Sequence, residues 1–323
     1  MTKKPLVSII VLNWNGAELL QSCLDSLKKI RFDSFEIIVV DNGSTDDSLR
    51  IIESYKNIVV EQLTTNVGYA SGNNAGLKIA RGKYVCTLNN DLVVAPDMLD
   101  GPVKALEADA TIGIICCRQM NYYERQRIDS LYGCPSRYLL FKPMGEGKPF
   151  TDNPLCSEPG YVIGANGASA IYRKEMLDRI GGFDDRFFAY HEESDLCLRA
   201  FERGWKCLYV PAAVVYHMKS ISFNKTKKLF RYFHERNRIL FIYKHFPVSM
   251  IMKNMVWLVI MELRLLRIAL FKEKVLVAFL KSRFDAVAML PQFRQERKEN
   301  VALFLKRIKR YRELESGQKI AVL

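Results

Sequence analysis

Four apolar, strand-like segments within the first 90 residues each end in polar side chains that could bind a nucleotide or a metal ion. Amide and carboxylate oxygens at such positions can hydrogen-bond a nucleoside or hold a divalent cation. Any one of these ends could be an ordinary turn, because Asn and Asp bond their own backbone. Turns alone do not require all four ends to be polar, so the pattern predicts a ligand site. The residues concerned are Asn13, Asn15, Asp41, Asn42, Ser44, Asn66, Gly68, Asn74, Asn89, Asn90 and Asp91.

Two later positions carry ionisable groups that could act in catalysis or metal binding. Glu192 and Glu193 stand at the head of a predicted helix over Ser194–Arg203. Carboxylates favour helix N-termini, which explains one of the pair without any function. A zinc-protease motif is excluded, because Asp195 stands where that motif needs its second histidine. His217 closes an apolar strand, where a histidine is more often a surface residue than a ligand, and both interpretations stay open.

The segments that carry these residues alternate between strand and helix patterns. The predicted strands are Leu6–Leu12, Phe35–Val40, Ile58–Leu63 and Tyr84–Leu88, with helices over Ala17–Ile30, Asp46–Tyr55 and Ser71–Ala80 between them. Continuous apolar strands that alternate with helices indicate a mostly parallel, doubly wound α/β sheet. Such sheets bind ligands at the carboxyl ends of their strands. Residues 119–160 lose this periodicity and gain Gly, Pro and Tyr, which predicts a long, mobile loop.

The motifs themselves resemble those of a known family. They are VSIIVLNWNG, VVDNGSTDDS, NVGYASGNNAG, TLNNDLVV, GGFDDRFFAYHEESDLCLR and the late His217. In this order they resemble the family 2 inverting glycosyltransferases of the GT-A fold, particularly the bacterial rhamnosyltransferase-like branch. The resemblance extends from Val7 to about His217, with a weaker similarity at His234-Glu235-Arg236-Asn237. Walker A and G-x-G-x-x-G motifs are absent from the sequence, which argues against ordinary nucleotide sites.

The resemblance implies a role for each polar strand end. Asp41 would bond the pyrimidine base, with the region of Asn13 as the pocket wall. Asn66, Gly68 and Asn74 would line the nucleoside, where glycine permits a close approach of the backbone. The other residues expected in the donor site are Asn15, Asn42, Ser44, Asn89 and Asn90.

The family's D-x-D motif falls on Asn89-Asn90-Asp91, so this sequence has one carboxylate there instead of two. By the same resemblance, Asp91 and His217 would hold Mg²⁺ or Mn²⁺. The family's acidic pair falls on Glu192 and Glu193, and the second member is usually the catalytic base. That position is commonly Asp in the family and is Glu193 here.

The implied activity is a metal-dependent, inverting transfer of a sugar from a nucleoside diphosphate. The best prediction is L-rhamnose from dTDP-rhamnose, moved onto a lipid-linked or polysaccharide acceptor in bacterial cell-surface glycan assembly. Another UDP- or dTDP-sugar (galactofuranose, GlcNAc or galactose) is the alternative donor. A non-catalytic sugar-nucleotide binding or scaffold subunit is the alternative of a different class.

The charge of the chain is placed unevenly. The 323 residues carry a formal net charge of +13, yet residues 219–323 alone hold 24 Lys and Arg against 8 Asp and Glu. We therefore expect a catalytic GT-A domain over 1–218 and a basic helical region over 219–323. Such a region could meet an anionic membrane surface or a nucleic acid. Binding to nucleic acid is not expected, because no known binding motif is present.

The basic region contains an apolar segment, Pro247–Phe271, that predicts an interfacial helix. Charged residues interrupt it too often for a transmembrane helix. On a helical wheel Lys253, Arg264, Arg267 and Lys274 share one sector, which with Trp257 is typical of a helix lying in the membrane interface. Packing on the catalytic domain and a homodimer contact are the alternatives. We expect a protein bound through residues 247–312 to the inner-membrane surface, on its cytoplasmic face, with its eight cysteines reduced.

Overall fold

A computed structural model describes residues 4–151, 153–218, 227–272 and 274–314. Its first half alternates strands and helices as the apolar periodicity predicts. The elements are β1 (Val7–Asn13), α1 (Ala17–Leu27), β2 (Phe35–Asn42), α2 (Ser48–Glu53), β3 (Ile58–Leu63), α3 (Gly68–Ile79), β4 (Tyr84–Asn89), β5 (Leu92–Val94) and α4 (Asp100–Ala108). Strands β1, β2 and β4 are almost wholly buried, because helices cover both faces of the sheet.

The second half of the sheet is longer and mixed in direction. Its elements are β6 (Ile112–Asn121), β7 (Ile128–Ser130), β8 (Gly133–Pro135), β9 (Phe141–Pro143), α5 (Pro154–Ser157), β10 (Gly160–Val162), β11 (Ser169–Arg173), α6 (Lys174–Ile180), α7 (Glu192–Glu202) and β12 (Lys206–His217). Within the described ranges the strand order is β10-β12-β6-β11-β4-β1-β2-β3, with β5 on β12 and β7 on β6. Strand β11 runs antiparallel to both of its neighbours, whereas β1, β2, β3 and β4 are parallel.

This topology brings the predicted strand ends together. Asn13 pairs with Asp41 across β1 and β2, and Leu12 pairs with Asn89 across β1 and β4. On the other side of the sheet, His217 at the end of β12 pairs with Leu92 of β5, the residue that follows Asp91. The expected doubly wound α/β fold is therefore confirmed.

The prediction of a long loop over residues 119–160 is wrong, because this segment contains short strands and a helical turn. Strand β6 continues to Asn121, β7 pairs with it, and β8 and β9 form a hairpin. Several of these residues enter a buried core, among them Ile128 and Leu131. Gly and Pro marked the turns between these short strands, which are too short to show an alternating pattern.

The C-terminal region is helical and packs against the catalytic half. Its elements are α8 (Lys227–His245), α9 (Val248–Lys253), α10 (Met255–Arg267), a π-helical turn (Ile268–Lys272), α11 (Leu276–Met289), a 3₁₀ turn (Leu290–Phe293) and α12 (Arg294–Leu314). Leu240 and Phe241 of α8 share one apolar cluster with Leu198 and Phe201 of α7. The carboxylate of Glu235 lies 3.0 Å from Arg283, which ties α8 to α11.

The prediction of one continuous amphipathic helix through Lys274 is wrong. The segment breaks at Asn254 and again after the π-helical turn, and Lys274 has a positive φ of 52°. The four cations expected in one sector therefore do not lie on one helix. Among the described residues, no helix is both long and apolar enough to cross a membrane.

Candidate functional site

A cleft of about 240 Å³ opens at the carboxyl edge of the sheet. It contains six of the predicted donor-site and metal residues: Asn42, Asn66, Gly68, Asn89, Asn90 and Asp91. The remainder of its lining is mostly aromatic and apolar: Leu12, Trp14, Tyr69, Phe188, Ala189, Tyr190, Leu229, Phe230 and Phe233. A concave surface with a few convergent polar groups among aromatic side chains is the usual form of a small-molecule site.

Asp41 lies in a buried network beside this cleft. Its Oδ1 accepts a hydrogen bond from the amide of Asn13 at 3.1 Å, and its Oδ2 accepts from the backbone N–H of Ser44 at 3.1 Å. Asn90 donates to Asn13 at 2.7 Å, and the hydroxyl of Ser44 accepts from the backbone N–H of Asn15 at 2.9 Å. The network links the ends of β1, β2 and β4 into one rigid edge, and it encloses Asp41 completely.

Asn42 and Asn66 shape the wall around Gly68. Asn42 donates to Asn66 and to the carbonyl of Gly68, each at 3.1 Å, while Asn66 accepts from the N–H of Gly68 at 2.9 Å. Gly68 has a φ of +88°, and a Cβ there would stand 2.5 Å from the carbonyl oxygen of Phe188. Glycine is therefore required at this position for close packing as well as for backbone conformation.

Asn74 stands apart from the cleft. Its amide donates to the carbonyl of Phe183 at 2.8 Å and to Asp185 at 2.7 Å, and its oxygen accepts from the N–H of Phe183. These contacts fix the segment that precedes α7. The geometry thus gives Asn74 a structural position, which differs from the nucleoside contact that the resemblance implied.

Asp91 and His217, the two predicted metal ligands, are neighbours. The Nε2 of His217 lies 3.2 Å from the Oδ2 of Asp91. On its other side, the Nδ1 of His217 lies 2.7 Å from the Oδ2 of Asp129. Burial lowers the pKa of His217, but the hydrogen bonds with Asp129 and Asp91 outweigh it and raise that pKa to about 9. A carboxylate behind a ligating histidine fixes the orientation of its ring and raises its basicity.

The donor set of this pair fits a divalent cation. Two cis ligands at about 2.1 Å from an octahedral ion stand about 3 Å apart, which matches the observed spacing. One carboxylate oxygen and one imidazole nitrogen suit Mn²⁺, and Mg²⁺ needs only one or two carboxylates when phosphates and water complete its shell. No cluster of three or more candidate ligand side chains occurs in the described parts of the chain. The remaining ligands would come from phosphate and water.

Glu192 and Glu193 are the first two residues of helix α7, which begins two residues earlier than predicted. Glu192 is buried, and its Oε2 has no hydrogen-bond partner among the residues that the structure describes. Burial, and then the negative charge of Glu193, raise the pKa of Glu192 well above its ordinary range. Burial also raises the pKa of Glu193, although the side chain is half-buried and accepts from the hydroxyl of Ser194 at 3.2 Å.

Glu193 lines a second cavity, of about 260 Å³, next to the cleft. Asp129 lines the same cavity, while its partner His217 contacts Asp91 in the cleft. Tyr69, which lines the cleft, donates from its hydroxyl to the carbonyl of Gly167. Gly167 in turn packs closely on Glu193: a Cβ added to Gly167 would lie 3.2 Å from the Cγ of Glu193. The walls of the two cavities are therefore linked by the contacts Asp129–His217–Asp91 and Tyr69–Gly167.

Helix α8 closes the cleft from the C-terminal region. Phe233 stacks on Phe188 with ring centroids 4.5 Å apart, and Phe230 meets Tyr190 edge to face at 4.9 Å. The motif at residues 234–237 lies on this helix. Sequence reasoning placed the donor site wholly before residue 218, so the contribution of Phe230 and Phe233 is a correction.

Two residues of that motif hold the segment before Glu192. The amide nitrogen of Asn237 lies within 2.7–2.8 Å of the carbonyl oxygens of Phe187, Ala189 and Tyr190. Arg236 donates to the carbonyls of Arg186 and Phe187 at 2.8 and 3.0 Å. Phe188, Tyr190 and His191 all have positive φ values, a conformation that costs residues with side chains free energy and persists only where neighbouring groups hold it.

A buried ionic cluster anchors α7 to α8. Asp195 contacts Lys244 at 2.7 Å, His245 at 2.9 Å and Arg199 at 2.7 Å. His245 also contacts Glu202 at 2.7 Å. Burial raises the pKa of Asp195, but Lys244, Arg199 and His245 outweigh it and hold that pKa well below its ordinary range.

Sequence reasoning missed Asp129, Tyr69 and the aromatic residues of α8. Asp129 lies in the segment that was predicted to be a loop, and only strand pairing brings it to His217. Tyr69 lies inside the NVGYASGNNAG motif, where the amides and glycines drew attention instead. The motif at 234–237 indicated that α8 has a function, but the sequence did not show that this motif contacts the segment before Glu192.

Comparison with known proteins agrees with this geometry. The family model described as glycosyl transferase family 2 matches residues 8–181. EpsJ of Bacillus subtilis, an uncharacterized glycosyltransferase, is 37% identical over 209 residues, which cover 62% of this chain and 57% of that protein. The amylovoran biosynthesis glycosyltransferase AmsB of Erwinia amylovora is 25% identical over 65% of this chain and 69% of its own length. The chain spans only 25% of an uncharacterized Sinorhizobium fredii protein and 18% of the O-antigen biosynthesis protein RfbC of Myxococcus xanthus.

Solved structures show the same fold at low identity. The mannosyltransferase PcManGT from Pyrobaculum calidifontis, solved with GDP-Man and Mn²⁺, superposes with a TM-score of 0.55 at 19% identity, over 95% of this chain and 88% of that one. TarS of S. aureus, solved with UDP, gives a TM-score of 0.53 at 19% identity, over 98% and 94%. Since the family model covers more than half of the residues, the chain belongs to the family 2 glycosyl transferases.

Proposed function

We propose that this protein is an inverting, metal-dependent glycosyltransferase of bacterial surface-polysaccharide assembly. Its donor would be a nucleoside-diphosphate sugar bound in the cleft at Asn42, Asn66 and Gly68. Its best candidate is dTDP-L-rhamnose, with other UDP- and dTDP-sugars as the alternatives. The names of two relatives, the amylovoran biosynthesis glycosyltransferase AmsB and the O-antigen biosynthesis protein RfbC, support this class of product.

The reaction would be a single displacement at the anomeric carbon. The acceptor hydroxyl oxygen forms a bond to C1 of the sugar, and the bond from C1 to the phosphate oxygen breaks. Glu193 takes the hydroxyl proton, and the nucleoside diphosphate leaves with the bonding electrons. Attack opposite to the leaving group inverts the anomeric centre. Glu193 is suited to this role because it lines the cavity that adjoins the donor cleft.

The chain's own groups would prepare both reactants. Asp91 and His217 would hold the divalent ion, which supplies positive charge to the departing diphosphate. Asp129 would keep the ring of His217 in place. Burial raises the pKa of Glu193, which makes it a better proton acceptor than an ordinary glutamate once it is ionised.

The observation that carries the proposal is the chain of contacts Asp129–His217–Asp91, which links the wall of the cavity that holds Glu193 to the wall of the cleft that holds the predicted donor-site residues. A scaffold subunit would need the donor cleft but not the carboxylate of Glu193 in a second cavity beside it. The test is a screen of nucleotide sugars for thermal stabilisation with Mg²⁺ or Mn²⁺, followed by nucleotide release from the best binder. A donor that stabilises the protein but is never turned over, with any acceptor saccharide, would favour the scaffold alternative.

We further propose a peripheral location on the cytoplasmic face of the inner membrane, through residues 247–312. This is supported by an exposed apolar surface there: Val256, Leu263, Phe271, Val277 and Phe284 are each more than 60% exposed. Apolar surface of this extent commonly marks an interaction site. A homodimer contact through the same surface is the alternative, and size measurement of the protein in solution separates the two.

A further inference from the structure

Helix α8 separates the donor cleft from a second, apolar groove. Phe230 and Phe233, three residues apart, share one face of the helix and line the cleft. Tyr232 lines the groove, and Leu229 lines both cavities. The groove therefore ends beside the cleft, with one helical side chain as the shared wall.

The groove has the chemistry of an amphiphile site. Its volume of about 730 Å³ is within the range of ligand-binding pockets. Val275, Leu276 and Ala278 give it an apolar lining, and the ammonium groups of Lys228, Lys274 and Lys281 supply positive charge. Lys281 pairs with Asp285, whereas Lys228 and Lys274 have no acidic partner within salt-bridge distance among the described residues.

The surroundings of the groove extend the apolar surface outwards. Val277, on the groove itself, is 81% exposed, and Phe271 and Phe284 nearby in the chain are each 76% exposed. An apolar chain that lies in the groove could thus continue onto a membrane-facing surface. An anionic group at the end of such a chain would then lie beside the lysines, so the apolar lining matches the chain and the ammonium groups match its charge.

We propose that this groove binds the carrier lipid of the acceptor: a single apolar chain that ends in a phosphate, to which the acceptor saccharide is attached. The phosphate lies among Lys228, Lys274 and Lys281, and the chain lies along Val275 and Ala278. The saccharide then extends past Leu229 towards the reaction site. This proposal rests on the proposed function and names the residues that select its acceptor.

The test uses farnesyl phosphate as the probe and the full chain, with binding followed by calorimetric titration. Farnesol lacks the phosphate, and inorganic phosphate lacks the chain. We expect each to bind at least tenfold more weakly than farnesyl phosphate. Farnesol that binds as well as farnesyl phosphate, or inorganic phosphate that does so, would overturn the proposal.

Two variants locate the binding. Lys228→Glu/Lys274→Glu should weaken farnesyl phosphate binding at least tenfold, and Ala278→Trp should weaken it by filling the groove. The matched control is Lys56→Glu/Lys78→Glu, which makes the same charge change at two exposed lysines of the catalytic half. The proposal that the groove binds the lipid would be contradicted if the groove pair and the control pair lost farnesyl phosphate binding equally, or if neither groove variant lost it.

Nucleotide release from the donor is measured on the same proteins. We expect the groove variants to retain it, because water can accept the sugar without the lipid. A wild type that binds farnesyl phosphate but never turns over a donor contradicts the proposed function and leaves the groove supported. A wild type that turns over its donor but does not bind farnesyl phosphate contradicts the groove alone.

Discussion

At the scale of single residues, the stretch Asn89-Asn90-Asp91 carries one carboxylate. We predict that Asp91→Asn lowers donor turnover at least about a hundredfold, because it removes the anionic ligand of an ion that contributes several kcal/mol. Asn89→Asp should keep activity within about threefold of wild type, since that position needs a polar group and not a charge. Initial rates of nucleotide release decide this. If Asn89→Asp lost far more activity than Asp91→Asn, the assignment of the metal ligand to Asp91 would be wrong.

Asp129 gives a second prediction at this scale. Its carboxylate holds His217 at 2.7 Å, so Asp129→Asn should weaken Mn²⁺ affinity about 10- to 100-fold while the fold is kept. The measurement is Mn²⁺ titration by electron paramagnetic resonance. Ser130→Ala, one residue along the same strand, is the control. Unchanged Mn²⁺ affinity in Asp129→Asn would exclude the positioning role.

At the scale of elements, α8 is a positioning device for the catalytic segment. We predict that Asn237→Ala lowers kcat at least about tenfold with little change in the KM for the donor. The substitution removes a hydrogen bond from the carbonyls of Phe187, Ala189 and Tyr190, at a cost of about 1–3 kcal/mol, and releases residues with positive φ before Glu192.

A purely structural role for Asn237 makes a different prediction. Stability would then fall while kcat, measured on the folded fraction, stayed at the wild-type value. Asn254→Ala is the control, because the side chain of this asparagine donates to the carbonyl of Met250, which lies on its own side of the α9–α10 break and away from the segment before Glu192.

The sequence largely predicted which segments are helices and which are strands, but it did not predict the residues at which they begin and end. The apolar runs of β1, β2 and β4 are continuous because both sheet faces are covered, so the parallel sheet and its polar edge followed directly. Helix α2 begins at Ser48, two residues later than predicted, because Asp46 bonds the N–H groups of Ala17 and Ser48 instead. Strands β7–β9 were missed because each is only three residues long, which is too short to show an alternating pattern.

At the scale of the whole molecule, the charge count of the C-terminal region overstated its basic surface. Arg231, Arg236, Arg238 and Lys244 are all buried, where they bond carboxylates or carbonyls. A count of sequence charge cannot separate such groups from solvated ones. The remaining lysines and the exposed apolar residues, rather than net charge, are what could face a membrane.

The exposed apolar surface of α10 leads to a prediction about binding to lipid vesicles. Val256→Asp/Leu263→Asp should reduce flotation with phosphatidylglycerol-containing vesicles at least fivefold, because both side chains are more than 60% exposed on α10. The control is Tyr123→Asp/Leu155→Asp, which alters two exposed apolar residues of the catalytic half. Truncation after residue 218 is a poor test, because it would also remove Phe230 and Phe233 from the donor cleft. Equal flotation of all three proteins would contradict the membrane-facing surface.

The central claim, sugar transfer with Glu193 as the base, is tested most directly by one pH profile. Nucleotide release in the presence of acceptor is measured for wild type and Glu193→Gln. The base acts when deprotonated and its pKa is raised by burial, so wild-type kcat/KM should fall as the pH drops through a value above the 4.5 of an ordinary glutamate. Glu193→Gln should lose about 10²–10⁴-fold in rate, and this acid limb with it. Near-wild-type turnover in folded Glu193→Gln, or no turnover of any nucleotide sugar by the wild type, would contradict the account.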